Sequence, residues 1–377
     1  MNSDKKTVLI LSPQAWGTLR LSKHHYAEEL VKKGYRVFFL SPHESGLEEN
    51  FALHEEAIDL YIIRHRLNFP YKLRFHARPI FNFFIKRHVN SLLKFIGITP
   101  DILWCFDPNL YSNLSWFKAK TTIYHPVDPI IRQDQIKAAY TADFIFSVSN
   151  KILEPLQDVP VPKHFINHGL SRSFEESARS QVSTISNKTA NPLKLGYVGN
   201  LLRQPIDQGL FKRIIENLPQ VEFHFWGPYK AEGNNLNFEP DSKTSHFIAE
   251  LEKADNVTLH GPKAPQVLAK EITKMDGFLL YYSLISGISD RSNSHKILEY
   301  LSTGKVIFSC PIEMYNKMPN LLEVCDDQQD FCEFVVEKVK EIEALNSPDR
   351  QMQRIDFALD NTYKRQLEKI FTLVGLA

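Results

Sequence analysis

The sequence predicts an α/β protein built from two domains, each around a mostly parallel sheet. Three observations predict it. Short apolar runs alternate with stretches of helical period along most of the chain. The length, 377 residues, exceeds what one compact core accommodates and suits two. The alternation breaks once, over the serine-rich polar stretch 173–191, and then restarts. The expected division is a first domain over 1–172, a linker over 173–191, a second domain over 192–350 and a helical tail over 351–377.

The elements follow in order. "KTVLILS" is a buried strand, "SKHHYAEELVKKG" a helix stopped by Gly34, and "YRVFFLSP" the next strand. Strand, helix, strand with short links implies parallel pairing. "AIDLYII", "DILWCF", "TTIYHP", "ADFIFSVS" and "KHFINHG" continue the series. After the break come "PLKLGYVGN", the helix "DQGLFKRIIENLP", then "VEFHFWGP", "NVTLHGP", "DGFLLYYS", "KVIFSCP" and "LLEVCD". The tail from Asp349 reads as helical. Open parallel sheets hold ligands at the carboxyl ends of their strands, so two such domains are expected to share a cleft.

Composition excludes several classes. A net charge of +1 supplies no global field for nucleic acid. The four cysteines, Cys105, Cys310, Cys325 and Cys332, form no C-x-x-C and read as buried free thiols of a reducing compartment. No D-x-D triplet or zinc spacing occurs, so no metal is expected. The start, "MNSDKKTVLILSPQ", carries no secretory pattern, and no apolar run reaches the roughly 18 residues of a spanning helix. The expected location is cytoplasmic.

The most informative stretch is "SNSHKILEYLSTGK", Ser292 to Lys305. On a helical wheel Ile297, Leu298 and Leu301 make the buried stripe, while Lys296 and Glu299 share the polar face. An ordinary surface ion pair at i, i+3 accounts for Glu299. It accounts poorly for a cation in the first turn, which opposes the helix dipole. An anion held by Lys296, Asn293, Ser294 and the first backbone N–H groups reverses that sign. Glu299, one turn on, suits a sugar diol. Phosphate beside ribose describes a nucleotide, and this reading and the surface ion pair both remain open at this point. Gly199, Gly227 and Gly261 each follow an apolar strand, as tight turns or as places where backbone approaches a ligand. None belongs to a G-x-G-x-x-G or a Walker A loop.

The order "GYVGN", "FHFWGP", "NVTLHGP" and "SNSHKILEYLSTGKVIFS" resembles the donor-binding half of GT-B glycosyltransferases, closest to bacterial family-4-like enzymes of surface polysaccharide synthesis. The resemblance implies two Rossmann-like domains and transfer of a hexose from a nucleotide diphosphate, with UDP the expected nucleotide, to a polysaccharide or lipid-linked acceptor. Metal and cofactor are not required, since the nucleotide sugar is a substrate. A K-x-x-E-Y-L-x-x-G-K-x-V run of that family maps onto Lys296, Glu299, Tyr300, Leu301, Gly304, Lys305 and Ile307. It implies diphosphate and ribose contacts by Lys296 and Glu299, with Gly199, Asn200, Gly227, Asn293 and Ser294 beside them. The sequence departs from the pattern at Arg291, where many members have an acid. Asn200 and Pro205 stand where Arg and Lys often follow the first strand, and Arg203 is the substitute in that loop. The helical tail is expected to cross back onto the first domain.

In the first domain, "LWCFDPNLY" and "TTIYHPVDP" end strands in Asp107, His125 and Asp128. Asp107 is the candidate base for an inverting path. His125 resembles a family histidine that contacts the donor sugar, and Asp128 reads equally as a helix cap. Arg20, Lys23, His24 and His25 face either the cleft or solvent. From Leu60 to Pro100 there is no acid, and eight Lys or Arg alternate with eight aromatics. That segment reads as a core helix with a solvated basic face, or as a surface for anionic headgroups at the inner face of the cell membrane. Rival readings of the whole are a sugar-nucleotide epimerase or hydrolase, and a non-catalytic nucleotide-sugar or glycan-binding protein.

Overall fold

The computed structural model describes residues 5–17, 20–202, 207–230, 241–282, 293–318, 320–326 and 330–376. The chain forms two compact units, Met1–Asn167 with Tyr363–Ala377, and His168–Thr362. Each is an α/β unit around its own sheet.

The first unit holds eight strands: β1 (Thr7–Leu11), β2 (Arg36–His43), β3 (Phe51–Ala57), β4 (Leu60–His65), β5 (Ile102–Cys105), β6 (Thr121–Tyr124), β7 (Phe144–Ser147) and β8 (Lys163–Phe165). Their order is β3-β4-β2-β1-β5-β6-β7-β8. Every pairing is parallel except β3 with β4. A parallel sheet is covered on both faces, so its strands are apolar throughout rather than alternating. Val8 and Ile10 face one core with Tyr26, Leu30, Leu367, Ile370 and Phe371. Those residues come from the helices Ser22–Lys32 and Tyr363–Leu373. Leu9 and Leu11 face the other core with Phe81, Ile85, Val89, Leu92 and Ile96. These five lie at helical spacing on Arg78–Ile96, which ends on Gly97 at φ 68°. Each such side chain contributes about 1.5–3 kcal/mol by leaving water.

The second unit holds β9 (Leu193–Val198), β10 (Val221–Trp226), β11 (Val257–Gly261), β12 (Gly277–Leu280), β13 (Val306–Ser309) and β14 (Glu323–Val324). They run in the order β11-β10-β9-β12-β13-β14, all parallel. Here too alternate residues serve two cores. Leu195, Val306 and Phe308 face the helix Gln208–Asn217. Phe278, Leu280 and Ile307 face Ile297, Leu298, Tyr300 and Leu301 of the helix His295–Leu301.

Among the parallel strands each order reverses direction once, between β1 and β5 and between β9 and β12. Loops leaving the carboxyl ends of two such strands diverge, and the crevice they leave is where doubly wound sheets bind ligands.

Three parts differ from the expectation. β3 is a strand that the reading did not anticipate; its run "LHEE" is polar because it forms the sheet edge, where charge discourages further pairing. The stretch 173–191, expected as an irregular linker, carries all but the first residue of a helix over Arg172–Gln181. Phe174 and Ala178, one turn apart, are buried, and Ser177 Oγ donates to the Ala269 carbonyl at 2.9 Å. Two apolar residues among serines are enough for a helix that needs to bury only one narrow stripe. The tail is two helices, Pro348–Leu359 in the second unit and Tyr363–Leu373 in the first. No helix among the described residues is long and apolar enough to cross a membrane.

Candidate functional site

The second unit's switch point is built by the ends of β9 and β12. Gly199 follows β9, and its N–H donates to the Trp226 carbonyl at 2.8 Å, while the Gly227 N–H donates to the Gly261 carbonyl at 3.0 Å. The three strand-end glycines therefore lie side by side along β9, β10 and β11. Gly227 has φ +127°, and a Cβ there would sit 2.1 Å from the Gly199 carbonyl oxygen. Only glycine fits that approach. A Cβ on Gly199 would fall 2.6 Å from Tyr197 Oη and 2.8 Å from Lys296 Nζ. The missing side chain of Gly199 is thus the space into which the Lys296 ammonium reaches.

Lys296 is the second residue of its helix. Its Nζ lies 5.3 Å from the centre of the Tyr197 ring and 5.8 Å from that of Tyr282, within cation–π range of both. Tyr197 is the penultimate residue of β9 and Tyr282 follows β12, so the two flank the strand-order reversal. Ser294 and Tyr282 share a buried hydroxyl hydrogen bond of 2.8 Å. Asn293 is buried, and its carbonyl accepts from the His168 ring. Asn200 Oδ1 accepts from the Leu202 N–H at 2.9 Å, a turn-making contact. The helix spans seven residues, so its dipole is small and Lys296 itself is the main positive charge.

Glu299 lies one turn on, partly exposed. Burial of its carboxylate raises its pKa to about 7, against the opposing pull of Lys296. Tyr300, fully buried, stacks on Phe278 with ring centres 4.3 Å apart, and its Oη accepts from the Val198 N–H at 2.7 Å. That contact ties the helix to the end of β9, one residue before Gly199. The sequence placed Tyr300 in the binding run; its work is to position the glycine. Arg203, Arg291 and Pro205 lie outside the described residues.

The first unit's switch point holds a small cavity of about 60 Å³ lined by Leu11 at the end of β1, Ser12 and Pro13 after it, Ser41 and His43 from β2, and Asp107 and Asn109 after β5. Asp107 accepts from Arg132 Nη2 at 3.2 Å. Burial raises its pKa, with Arg132 and Arg74 pulling the other way. His125 is buried among Trp104, Phe106, Tyr26 and Phe146. Trp104 Nε1 donates to His125 Nδ1 at 3.3 Å, which places the neutral ring's proton on Nε2. Lys23 and His24, which the sequence left between cleft and solvent, are buried. His24 Nδ1 accepts from the Leu21 N–H at 3.0 Å and caps its own helix. His25 stacks on Tyr363 and Arg20 on Trp16, so both are packing groups. All four cysteines are free and buried. Among the described residues no cluster of His, Cys, Asp and Glu has metal-binding geometry.

No protein-family model matches the chain, and no curated protein matches it by sequence. Solved structures do. A sucrose-phosphate synthase from Thermosynechococcus elongatus is similar with a TM-score of 0.65 at 10% identity, over 98% of this chain and 99% of that one. HepE from Anabaena, in complex with UDP and glucose, is similar with a TM-score of 0.61 at 11% identity, over 98% and 99%. A UDP-forming α,α-trehalose-phosphate synthase from Burkholderia xenovorans gives 0.65 at 10% identity, over 99% and 98%. At such identity the shared property is the fold: two Rossmann-like sheets of GT-B architecture, matched over nearly the whole of each chain.

Proposed function

We propose that the protein is a glycosyltransferase that moves a sugar from a UDP-sugar to a polysaccharide or lipid-linked acceptor. The observation that carries the reading is the pocketed ammonium of Lys296 against Gly199, with Glu299 one turn away, at the strand-order reversal of the second unit. A diphosphate brings two or three negative charges. No side chain at Gly199 stands between them and the Lys296 ammonium, which reaches into that space and supplies the positive charge. Ribose hydroxyls donate to a carboxylate, and Glu299 is the acid at that distance along the helix. The fold shared with HepE, described with UDP and glucose, and with a UDP-forming synthase supports UDP as the nucleotide.

In the transfer, an acceptor hydroxyl oxygen forms a bond to the anomeric carbon as the bond from that carbon to the diphosphate oxygen breaks. The leaving diphosphate carries the electron pair, and Lys296 offsets its charge. On the inverting path the hydroxyl proton passes to Asp107. Its raised pKa brings it nearer to a useful base strength than that of an exposed carboxylate. His125, its tautomer fixed by Trp104, presents a neutral N–H donor suited to a sugar hydroxyl.

The acceptor side includes a surface for anionic lipid. Phe75, Ile80 and Phe83 are more than half exposed on the segment Leu73–Ile96, and Lys72, Lys86 and Arg87 are exposed beside them. The helix Arg78–Ile96 keeps Phe81, Ile85, Val89, Leu92 and Ile96 in the core, and its exposed Ile80, Phe83, Lys86 and Arg87 are what supports the lipid-facing reading. Rings at the acyl boundary with cations at headgroup height are the pattern of an interfacial helix.

A screen of nucleotide sugars for thermal stabilisation tests the donor site, since a ligand at about 100 times its Kd adds about 2.7 kcal/mol. A UDP-sugar that stabilises the protein, and a glycosylated product that appears only with acceptor, is the expected result. Stabilisation without transfer to any acceptor would leave a binding protein, and free sugar release would indicate a hydrolase.

A further inference from the structure

Lys296 is not alone in reaching the space left open by Gly199. A Cβ placed there would lie 2.8 Å from Lys296 Nζ and 2.6 Å from the hydroxyl oxygen of Tyr197. The two atoms thus flank one point at the end of β9, and a single oxygen fits within hydrogen-bond distance of both. Strand geometry brings the hydroxyl there. Tyr197 and Gly199 are two residues apart, so their side-chain directions fall on the same face of the sheet.

The core does not require that hydroxyl. The Tyr197 ring packs edge-on against Phe211, with centres 5.1 Å apart, and lies 6.0 Å from Phe225. Phenylalanine fills both of those neighbouring places. A third would fill this one without carrying a polar atom into a position that is 3% exposed. Tyr282, the other ring beside the ammonium, commits its hydroxyl to Ser294 at 2.8 Å. Asn200, the next side chain after Gly199, turns its oxygen to the Leu202 N–H at 2.9 Å. The Tyr197 ring has a second use, since its centre is 5.3 Å from Lys296 Nζ and draws the ammonium to the same place. A long lysine stem loses freedom when its end is fixed, and a site that has already fixed it binds an anion at a smaller entropic cost.

We infer that Tyr197 is a second diphosphate-binding residue: its hydroxyl donates to the oxygen whose charge Lys296 offsets, and its ring holds that ammonium in place. The inference rests on the nucleotide-sugar reading of this site. An ammonium can only donate and a phenol can donate, so their shared partner is an acceptor, and an anionic oxygen is the acceptor that both bind most strongly.

Y197F separates the two roles, because phenylalanine keeps the ring and its packing and loses only the hydroxyl. Calorimetry on the full chain is expected to show UDP affinity about tenfold lower in Y197F, the loss of one hydrogen bond to a charged acceptor. Phosphorus NMR at saturating UDP gives the reading that a merely structural role would not move. The bound resonance of a phosphate shifts between the parent and Y197F, while the uracil proton resonances stay in place. UDP affinity within twofold of the parent overturns the inference, as do unshifted phosphate resonances. Uracil resonances displaced along with those of the phosphates also overturn it, in favour of a general distortion of the pocket. If the parent binds no UDP, the nucleotide reading itself falls; if the parent binds UDP and Y197F binds it equally, only the role of Tyr197 does.

Discussion

Glu299→Gln separates what the carboxylate costs the fold from what it contributes to binding. In the unfolded chain this acid ionises near 4.5, and in the folded protein near 7. A raised acid pKa means that stability is full below 4.5. It declines as pH rises through the interval, because the unfolded state gives up its proton first, and it is flat above 7. At about 1.36 kcal/mol per pKa unit the upper bound is about 3 kcal/mol. Partial solvent contact screens this, so about 1–3 kcal/mol is the expected penalty at pH 8. Glutamine is nearly isosteric and carries no such penalty. E299Q is therefore more stable than the parent by that amount at pH 8, and by nothing at pH 4.5. Hydrogen exchange of the β9 and β13 amides reads this within the second unit, where a two-state melt of the whole chain does not. Binding moves the opposite way. A charged acceptor for the ribose is worth about 1.5–3 kcal/mol, so UDP affinity falls roughly 10- to 100-fold in E299Q at pH 8. Parent affinity gains up to about tenfold per unit as pH rises to 7, beyond the phosphate's own titration near 6 that E299Q retains. Identical pH slopes for the two proteins between pH 5 and 7.5 would sink the ribose assignment. Equal stability at pH 8 would show that the acid is not desolvated.

Gly227→Ala forces a Cβ onto the Gly199 carbonyl in a left-handed conformation, and about 3 kcal/mol or more of destabilisation should appear in urea unfolding. Gly199→Ala pushes on the buried Tyr197 ring as well as on the flexible end of Lys296, so it costs some stability in urea unfolding and UDP affinity drops in calorimetry. Tyr300→Phe strands the Val198 N–H, costing about 1–3 kcal/mol in the same unfolding assay. Asp107→Asn removes the base but not the donor site: transfer measured by product formation is lost while UDP affinity is unchanged, and retained transfer would rule out Asp107 as the base.

What the sequence disclosed was local. Lys296 and Glu299 share a face because they are three apart on a helix, and Ile297, Leu298 and Leu301 fix which face that is. The glycines after β9, β10 and β11 each announced a tight strand end. Their mutual contact was not readable, because it depends on the order β11-β10-β9, which pairs residues about 28 to 34 positions apart. Lys23 shows the same limit more sharply. Beside Arg20, His24 and His25 it looks like a solvated helix start, yet it is 2% exposed, a burial set by packing that the local sequence does not show. Arg74 sits in an acid-free run whose composition suggested a surface, yet it turns inward to Tyr71 while its neighbour Phe75 turns out. β3 escaped because an edge strand needs no continuous apolar run.

The carboxylates themselves distinguish structural from functional charge in this molecule. Glu44, Asp59 and Asp330 lie near the surface, where hydrogen bonds from Arg64, Lys5 and Arg213 respectively hold their pKa values below the ordinary range. Those pairs are ionised and satisfied, and each is worth little at an exposed site. Asp107 and Glu299 run the other way. Each has a cation at hand, Arg132 in one case and Lys296 in the other, and in each burial outweighs the cation. An acid selected only for stability would be replaced by an amide or an apolar residue at such a place. These two instead stand at the strand-order reversals of their sheets, each with a cation close by. The same expensive arrangement, occurring twice at the two positions where doubly wound sheets hold ligands, is what the proposed base and ribose sites rest on.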